Sequence, residues 1–330
     1  MALLFRRALF PALVVLVGCG SSSPRTPDGA GAAPADARMD IASRADVAAI
    51  DARADASATA ACGASAGGNG WALWTVVEPR ARSYDTSAAE VVLDRTTNLV
   101  WQRRVAPDAL DWEGAHAYCS CLRVGGHDDW RLPTRIELVS LVDYTRQDPS
   151  IDPVVFPDTP VTWFWSSSTV AGNERVAAWY LSFMDGNTHS ASKEVAYAVR
   201  CVRQGPAGPR APYQIGTDTV VDPNTKLTWQ RAVDDTMRTW DEARSHCQGL
   251  SLAGGGWRLP TMAELQTLID DAASEPAIDR AAFPDTPSDG FWADTPLADM
   301  PPYRWFVNFD GAVAYNAMPE HPYHVRCVRR

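Results

Sequence analysis

The chain contains an internal repeat, and this repeat constrains its fold more than any other feature of the sequence. The segment WRLPTRIELVSLVD begins at Trp130, and WRLPTMAELQTLID begins at Trp257. Further matches flank these segments, from DRTTNLVWQR against DPNTKLTWQR to the VRCVR that closes each copy at residues 199–203 and 325–329. The repeated unit of about 120 residues is large enough for a domain. The sequence therefore predicts two similar folded units in tandem.

Each unit is predicted to belong to the α+β class. Two short apolar runs around the polar DRTTN segment are typical of a β-hairpin. Asp111 in the first copy is a plausible N-cap for a helix, and a second helix begins after the RLPT segment. The C-terminal third holds several short strands, with MDG and FDG as hairpin turns. The RLPT-x-x-E motif is predicted to form a capping box in both copies, with the following residues in structural roles: Arg131, Thr134, Glu137, Arg258, Thr261 and Glu264.

The N-terminus is typical of an exported lipoprotein. Residues 1–18 combine two arginines with an apolar run that is too short to span a bilayer, as in a signal peptide. The run ends in LVGC, which resembles a bacterial lipobox and implies lipidation of Cys19. The alternative is an ordinary signal peptide with a chance cysteine. Because Gly20 is not aspartate, the lipid anchor is predicted to lie in the outer membrane or at the cell surface.

The rest of the chain divides by composition. Residues 19–70 are rich in Ala, Asp, Ser and Gly, so they are predicted to form a disordered spacer. All 13 tryptophans follow this spacer. The predicted domains are residues 71–203 and 213–330, and the Pro/Gly-rich residues 204–212 link them.

Cysteine usage also indicates export. Without Cys19, six cysteines remain: Cys62, Cys119, Cys121, Cys201, Cys247 and Cys327. An even number in an oxidising compartment permits complete pairing. Metal binding is the alternative, but Cys119-x-Cys121 has no second pair at zinc spacing.

Several motifs together resemble a known family. The series LVWQR, WRLPT-x-x-EL, FWSSS and VRCVR is similar to the C-terminal domain family of the Legionella collagen-like adhesin, in both copies. The RLPT-x-x-E motif also resembles the formylglycine-generating enzyme and sulfatase-modifying-factor group. That second resemblance implies a C-type-lectin-like fold for each unit, with a mixed sheet and two helices.

The enzymes of that group use a reactive cysteine pair near the C-terminus, whereas each copy here has a single C-terminal cysteine and a matching upstream one. The economical pairing is therefore Cys119–Cys201 and Cys247–Cys327. By elimination, Cys121 then pairs with Cys62. An exchange of Cys119 and Cys121 between these pairs stays open.

The sequence shows no pattern that predicts catalysis. It lacks a phosphate-binding loop and a Gly-x-Ser-x-Gly elbow, and its histidines do not recur between the copies. The only close histidine pair, His321 and His324, flanks a proline and predicts a loop. We therefore expect no metal, no cofactor and no enzymatic activity.

Recurrent arginines allow two interpretations. Arg131, Arg200, Arg203 and their counterparts Arg258, Arg326 and Arg329 could clamp an anion. The favoured interpretation is structural: partly buried arginines that pair with aspartates, such as those of the PDTP segments, and stack on tryptophan.

The balance of charged residues limits the class of ligand that we expect. Both copies are net acidic, with 11 basic and 16 acidic residues in 84–203 and 10 and 17 in 213–330. Such charge disfavours nucleic acid and other polyanions. We therefore expect a neutral glycan or an envelope protein as partner, recognised without catalysis. The alternatives are an enzyme of the sulfatase-modifying type and a purely structural envelope component. Ring faces for the ligand are predicted from the tryptophans in and near the loops around TWFWSSS and DGFWADTP: Trp163, Trp165, Trp179, Trp292 and Trp305.

Overall fold

The computed structural model of the chain describes residues 82–204 and 210–330. The predicted signal peptide, Cys19, the spacer and Cys62 lie outside the described residues, as do residues 205–209 of the predicted linker. Within the described part of the chain, no helix is both long and apolar enough to cross a membrane.

The first repeat contains two antiparallel sheets and two helices. Its elements are β1 (Tyr84–Asp85), β2 (Val91–Asp94), β3 (Leu99–Gln102), α1 (Trp112–Cys121), α2 (Arg135–Leu141), β4 (Trp163–Thr169), β5 (Ala177–Ser182), β6 (Thr188–Ser192) and β7 (Val202–Gln204). One sheet has the order β1-β2-β3-β7 and the other β4-β5-β6. The last strand thus returns to the N-terminal hairpin and closes the repeat.

The second repeat has the same order of elements. They are β8 (Gln214–Ile215), β9 (Thr219–Asp222), β10 (Leu227–Gln230), α3 (Trp240–Gly249), α4 (Met262–Gln266), β11 (Gly290–Pro296), β12 (Arg304–Asn308), β13 (Val313–Ala317) and β14 (Val328–Arg329), with a 3-10 turn at Leu252–Gly254. Its sheets run β8-β9-β10-β14 and β11-β12-β13. The predicted α+β class and tandem arrangement are confirmed.

The RLPT-x-x-E motif is a helix start reinforced by an ion pair. The Glu137 side chain accepts a hydrogen bond from the Thr134 backbone N–H at 2.8 Å, and Thr134 Oγ1 accepts one from the Glu137 N–H at 3.4 Å. Arg131 donates to both carboxylate oxygens of Glu137, at 2.7 and 2.6 Å. One glutamate therefore caps the helix and fixes the preceding segment. Arg258, Thr261 and Glu264 repeat the arrangement in the second copy.

Each repeat contains a disulfide, and the two disulfides lie at equivalent positions. Cys119 pairs with Cys201 and Cys247 with Cys327, so each bridge ties the first helix of its repeat to the residue just before the last strand. These two predictions are confirmed, with Cys119 rather than Cys121 on the bridge to Cys201. Cys121 is also disulfide-bonded, and its predicted partner Cys62 lies outside the described residues.

The two repeats pack against each other through a shared core. Helices α2 and α4, which are equivalent, are in contact, and so are the equivalent strands β6 and β13. Contact between equivalent elements is what a local two-fold relation produces. Tyr144 packs edge-on against Trp305 with ring centroids 5.6 Å apart, and its hydroxyl accepts a hydrogen bond from Gln266 at 2.6 Å. Opposite them, Arg135 Nε lies 2.7 Å from an Asp271 oxygen.

Candidate ligand-binding surface

Four of the five tryptophans predicted to contact a ligand are buried. The exposed fraction is 0% for Trp165, Trp292 and Trp305 and 4% for Trp179, against 43% for Trp163. The prediction is therefore corrected for these four, because a ring without exposed surface cannot stack on a ligand.

Their burial has a structural reason. Trp165 Nε1 donates to the Leu110 carbonyl at 3.0 Å, and Trp292 Nε1 to the Arg238 carbonyl at 2.9 Å. Each indole thereby joins the three-stranded sheet of its repeat to the segment before the first helix of that repeat. Trp179 and Trp305 belong to the shared core.

Trp163 lies at one end of a chain of aromatic rings that spans both repeats. We call this chain the aromatic strip; its members are Trp163, Tyr180, His189 and Tyr197 of the first repeat, and Phe306, Tyr315 and Tyr323 of the second. Neighbouring ring centroids are 5.4 Å apart for Trp163–Tyr197, 4.9 Å for Tyr197–Tyr180 and 6.2 Å for Tyr180–His189. The strip continues from Tyr315 to Phe306 at 5.8 Å and from Phe306 to Tyr323 at 4.2 Å.

Strand register pairs four of these rings on the faces of their sheets. Tyr180 of β5 lies opposite His189 of β6, and Phe306 of β12 lies opposite Tyr315 of β13. Side chains directly opposite each other in an antiparallel pair share a face. The two halves meet where His189 contacts Tyr315, with centroids 5.0 Å apart.

The strip is partly open to solvent. Trp163 and Tyr315 are 43% and 38% exposed, Phe306 is buried beneath its neighbours, and the other members are half-buried. Rings that are packed against one another in this way present a surface that needs little reordering on binding.

The electrostatics of the strip are neutral to acidic. Burial raises the pKa of Tyr180 and Tyr197 above the usual tyrosine value, so both hydroxyls stay protonated at neutral pH and can donate hydrogen bonds. Burial lowers the pKa of His189, and the nearby Asp185 carboxylate opposes this shift. Burial also raises the pKa of Tyr323, and the Asp289 carboxylate adds to that effect.

A cleft lies between the two repeats. Its volume is about 580 Å³, and Tyr144 and Thr145 of the first repeat face the β11–β12 loop, including Leu297 and Asp299, across it. The equivalent position on the other side of the local two-fold holds a cavity of about 110 Å³, beside Trp179 and Asp271. Of the charged residues that line the larger cleft, Asp294 pairs with Arg244 at 3.1 Å.

The recurrent arginines do not form an anion clamp. Arg131 and Arg258 are engaged by their motif glutamates. Arg200 is fully buried and donates to the Gln102 and Arg103 carbonyls and to Thr159 Oγ1, and burial lowers its pKa to about 9. The PDTP segment thus contributes its threonine and not the aspartate that the sequence had indicated. Arg326 repeats this arrangement with Thr286.

The remaining arginine pair is engaged as well. Arg203 pairs with Asp129 at 2.5 Å. Arg329 donates to the carbonyls of Ala253 and Gly255 and lies over the Trp257 ring. Among the described residues, no group of three or more His, Cys, Asp or Glu side chains could hold a metal ion.

Most of the strip was missed by the sequence analysis. Tyr180 and Tyr197 are next in sequence to the core residues Trp179 and Ala198. His189 and Tyr315 are equivalent to each other in the two repeats but differ in residue type, so the repeat gave no signal for them. The available signal was the two-residue alternation in AAWYLS, which places Trp179 and Tyr180 on opposite faces of β5.

Comparison with known families agrees with the duplicated architecture. The family model of the Lcl C-terminal domain matches residues 90–203 and, a second time, residues 218–329. The resemblance recognised from the sequence motifs is thereby confirmed in both copies. A search of curated proteins finds no match to the chain.

Proposed function

This chain belongs to the family of the Lcl C-terminal domain, and we propose that it is a lipid-anchored envelope protein that recognises a neutral glycan. The observation that carries the proposal is the partly exposed aromatic strip, which starts at Trp163 and crosses both repeats. Recognition of this kind is adhesin-like and needs no catalytic group.

Aromatic rings and tyrosine hydroxyls suit a sugar ligand. A ring presents an apolar face to the C–H side of a pyranose, while a neighbouring hydroxyl can bond to the sugar's own hydroxyls. Tyr180 and Tyr197 are half-buried, and burial raises the pKa of both, so their hydroxyls stay protonated at neutral pH and can donate to a sugar oxygen.

Charge favours an uncharged ligand. The carboxylates that act on the strip are Asp185 and Asp289, and the whole chain has a formal net charge of −10. A sulfated or phosphorylated polymer would be repelled by such a surface.

The lipid anchor and the C-type-lectin-like fold are parts of the same proposal. The LVGC segment that ends at Cys19 supports the anchor, and the RLPT-x-x-E motif with its mixed elements supports the lectin-like fold. Replacement Cys19→Ala should release the protein from the membrane fraction and abolish incorporation of labelled palmitate. Retention in the membrane without label would contradict the anchor.

The sulfatase-modifying type of enzyme is less consistent with the site. That chemistry needs a reactive cysteine pair, whereas Cys201 and Cys327 are each held in a disulfide. Titration of the oxidised full chain with a thiol reagent should therefore find no reactive cysteine at these positions.

Binding to an array of neutral and sulfated glycans tests the proposal directly. We expect the full chain to bind neutral glycans, Trp163→Ala to lose that binding, and Val154→Ala to retain it. Val154 is a matched control because it is 81% exposed and lies outside the strip. Binding confined to sulfated glycans, or an unchanged signal for Trp163→Ala, would refute the proposed site.

A further inference from the structure

We infer that the two repeats form one elongated binding site, and that its ligand is a linear uncharged polysaccharide held across the junction between them. This inference rests on the proposed function and specifies the class of glycan. It differs from a pair of independent sites, which a tandem duplication alone would suggest.

The first argument is continuity at the junction. The strip does not stop at the end of a repeat, because His189 and Tyr315 touch at 5.0 Å and Tyr315 is still 38% exposed. These two residues occupy corresponding positions, opposite Tyr180 and Phe306 respectively. A long ligand that lies on Tyr180 and His189 would therefore also contact Tyr315 of the second repeat.

The second argument is that the junction is fixed. The Arg135–Asp271 ion pair is almost entirely buried between the repeats, with 0% and 8% of the two side chains exposed. Gln266 binds Tyr144 across the same boundary. Because a shared core holds the halves together, their spacing does not depend on the linker, and one rigid ligand can meet both.

The third argument is that the two halves of the strip are not copies of each other. Trp163 begins β4, and Gly290 begins β11 at the equivalent position. A Cβ at Gly290 would lie 2.5 Å from the Tyr323 ring, so no larger side chain fits there without displacing that tyrosine. The second repeat thus lacks the terminal tryptophan. Two separate sites would need it twice, whereas one site needs it at one end only.

The test measures affinity as a function of ligand length. Titration calorimetry of the full chain would use cello- and chito-oligosaccharides, as dimers, tetramers and octamers. We expect the octamer to bind about tenfold more tightly than the dimer, or better, since two further stacking contacts supply about that factor. His189→Ala and Tyr315→Ala should each remove this gain with length, so that the affinity for the octamer falls to about that for the dimer.

The outcomes separate the inference from the proposed function. If Trp163→Ala abolishes octamer binding while both junction variants retain it in full, the site is confined to the first repeat and the inference fails alone. If neither oligosaccharide series nor any neutral glycan of the array binds the unmodified chain, both fail. Thermal unfolding of each variant controls for loss of structure, and His189→Ala and Tyr315→Ala check each other because they lie in different repeats.

Discussion

The buried ion pair between the repeats allows a quantitative test of the shared core. Arg135 is fully buried, and beyond its 2.7 Å contact with Asp271 it donates to Gln266 Oε1 at 3.2 Å. Its second Nη atom and the second Asp271 oxygen have no hydrogen-bond partner. Removing one member leaves an uncompensated buried charge, which typically costs about 3–5 kcal/mol. Arg135→Met alone and Asp271→Phe alone should each lower the free energy of unfolding by about that amount.

The internal repeat supplies the design of the double variant. Met262 occupies the position equivalent to Arg135, and Tyr144 the position equivalent to Asp271, so the other half of the junction is already apolar and aromatic. Phenylalanine is chosen at Asp271 instead of tyrosine because the hydroxyl of a tyrosine would have no donor there. Gln266 donates to the Tyr144 hydroxyl, but its equivalent in the first repeat is Val139, which cannot donate a hydrogen bond. The cavity of about 110 Å³ beside Asp271 gives the ring room.

The double variant Arg135→Met/Asp271→Phe should be far more stable than the sum of the single effects implies. Only Gln266 Oε1 then loses a partner, which costs about 1–3 kcal/mol. Urea unfolding of the four proteins, with disulfides intact, gives the coupling energy as a double-mutant cycle. Additive effects, or single variants within about 0.5 kcal/mol of the unmodified protein, would refute the view that this pair sits in a dry junction.

Three further predictions concern the stability of the repeats. The disulfide Cys247–Cys327 closes a separation of 80 residues, so replacing both cysteines by serine should cost about 4–5 kcal/mol in urea unfolding; a cost below about 1 kcal/mol would contradict this. Glu264→Ala should destabilise more than Glu264→Gln, because the amide oxygen still accepts from the Thr261 N–H; equal losses in melting temperature would show that the cap contributes nothing. Burial lowers the pKa of His116, so the unfolded state binds more protons and stability should fall as the pH drops through the ordinary histidine value of about 6.5. Melting temperatures between pH 7.5 and 5.5 should show a smaller slope for His116→Phe, and an unchanged slope would count against this assignment.

Local signals in the sequence determined the helix starts, the hairpin signature, the class of fold and the duplication. Thr134 and Glu137 lie three residues apart, and a capping box depends only on that spacing and on backbone geometry, so its formation follows from short-range chemistry. The repeat favoured the pairing of Cys119 with Cys201, since both copies carry the same two positions, but only the structure decided between Cys119 and Cys121.

The tertiary structure alone decided which aromatic residues face solvent. Trp163 and Trp165 share a strand, a residue type and a face, yet one is 43% exposed and the other is fully buried. The difference arises because the segment around Leu110, distant in sequence, covers Trp165 and accepts its N–H. Likewise, His189 and Tyr315 become neighbours only because the repeats share a core. Residue type and periodicity define the face of a strand, but burial depends on what packs over that face, and packing is set by contacts between distant parts of the chain.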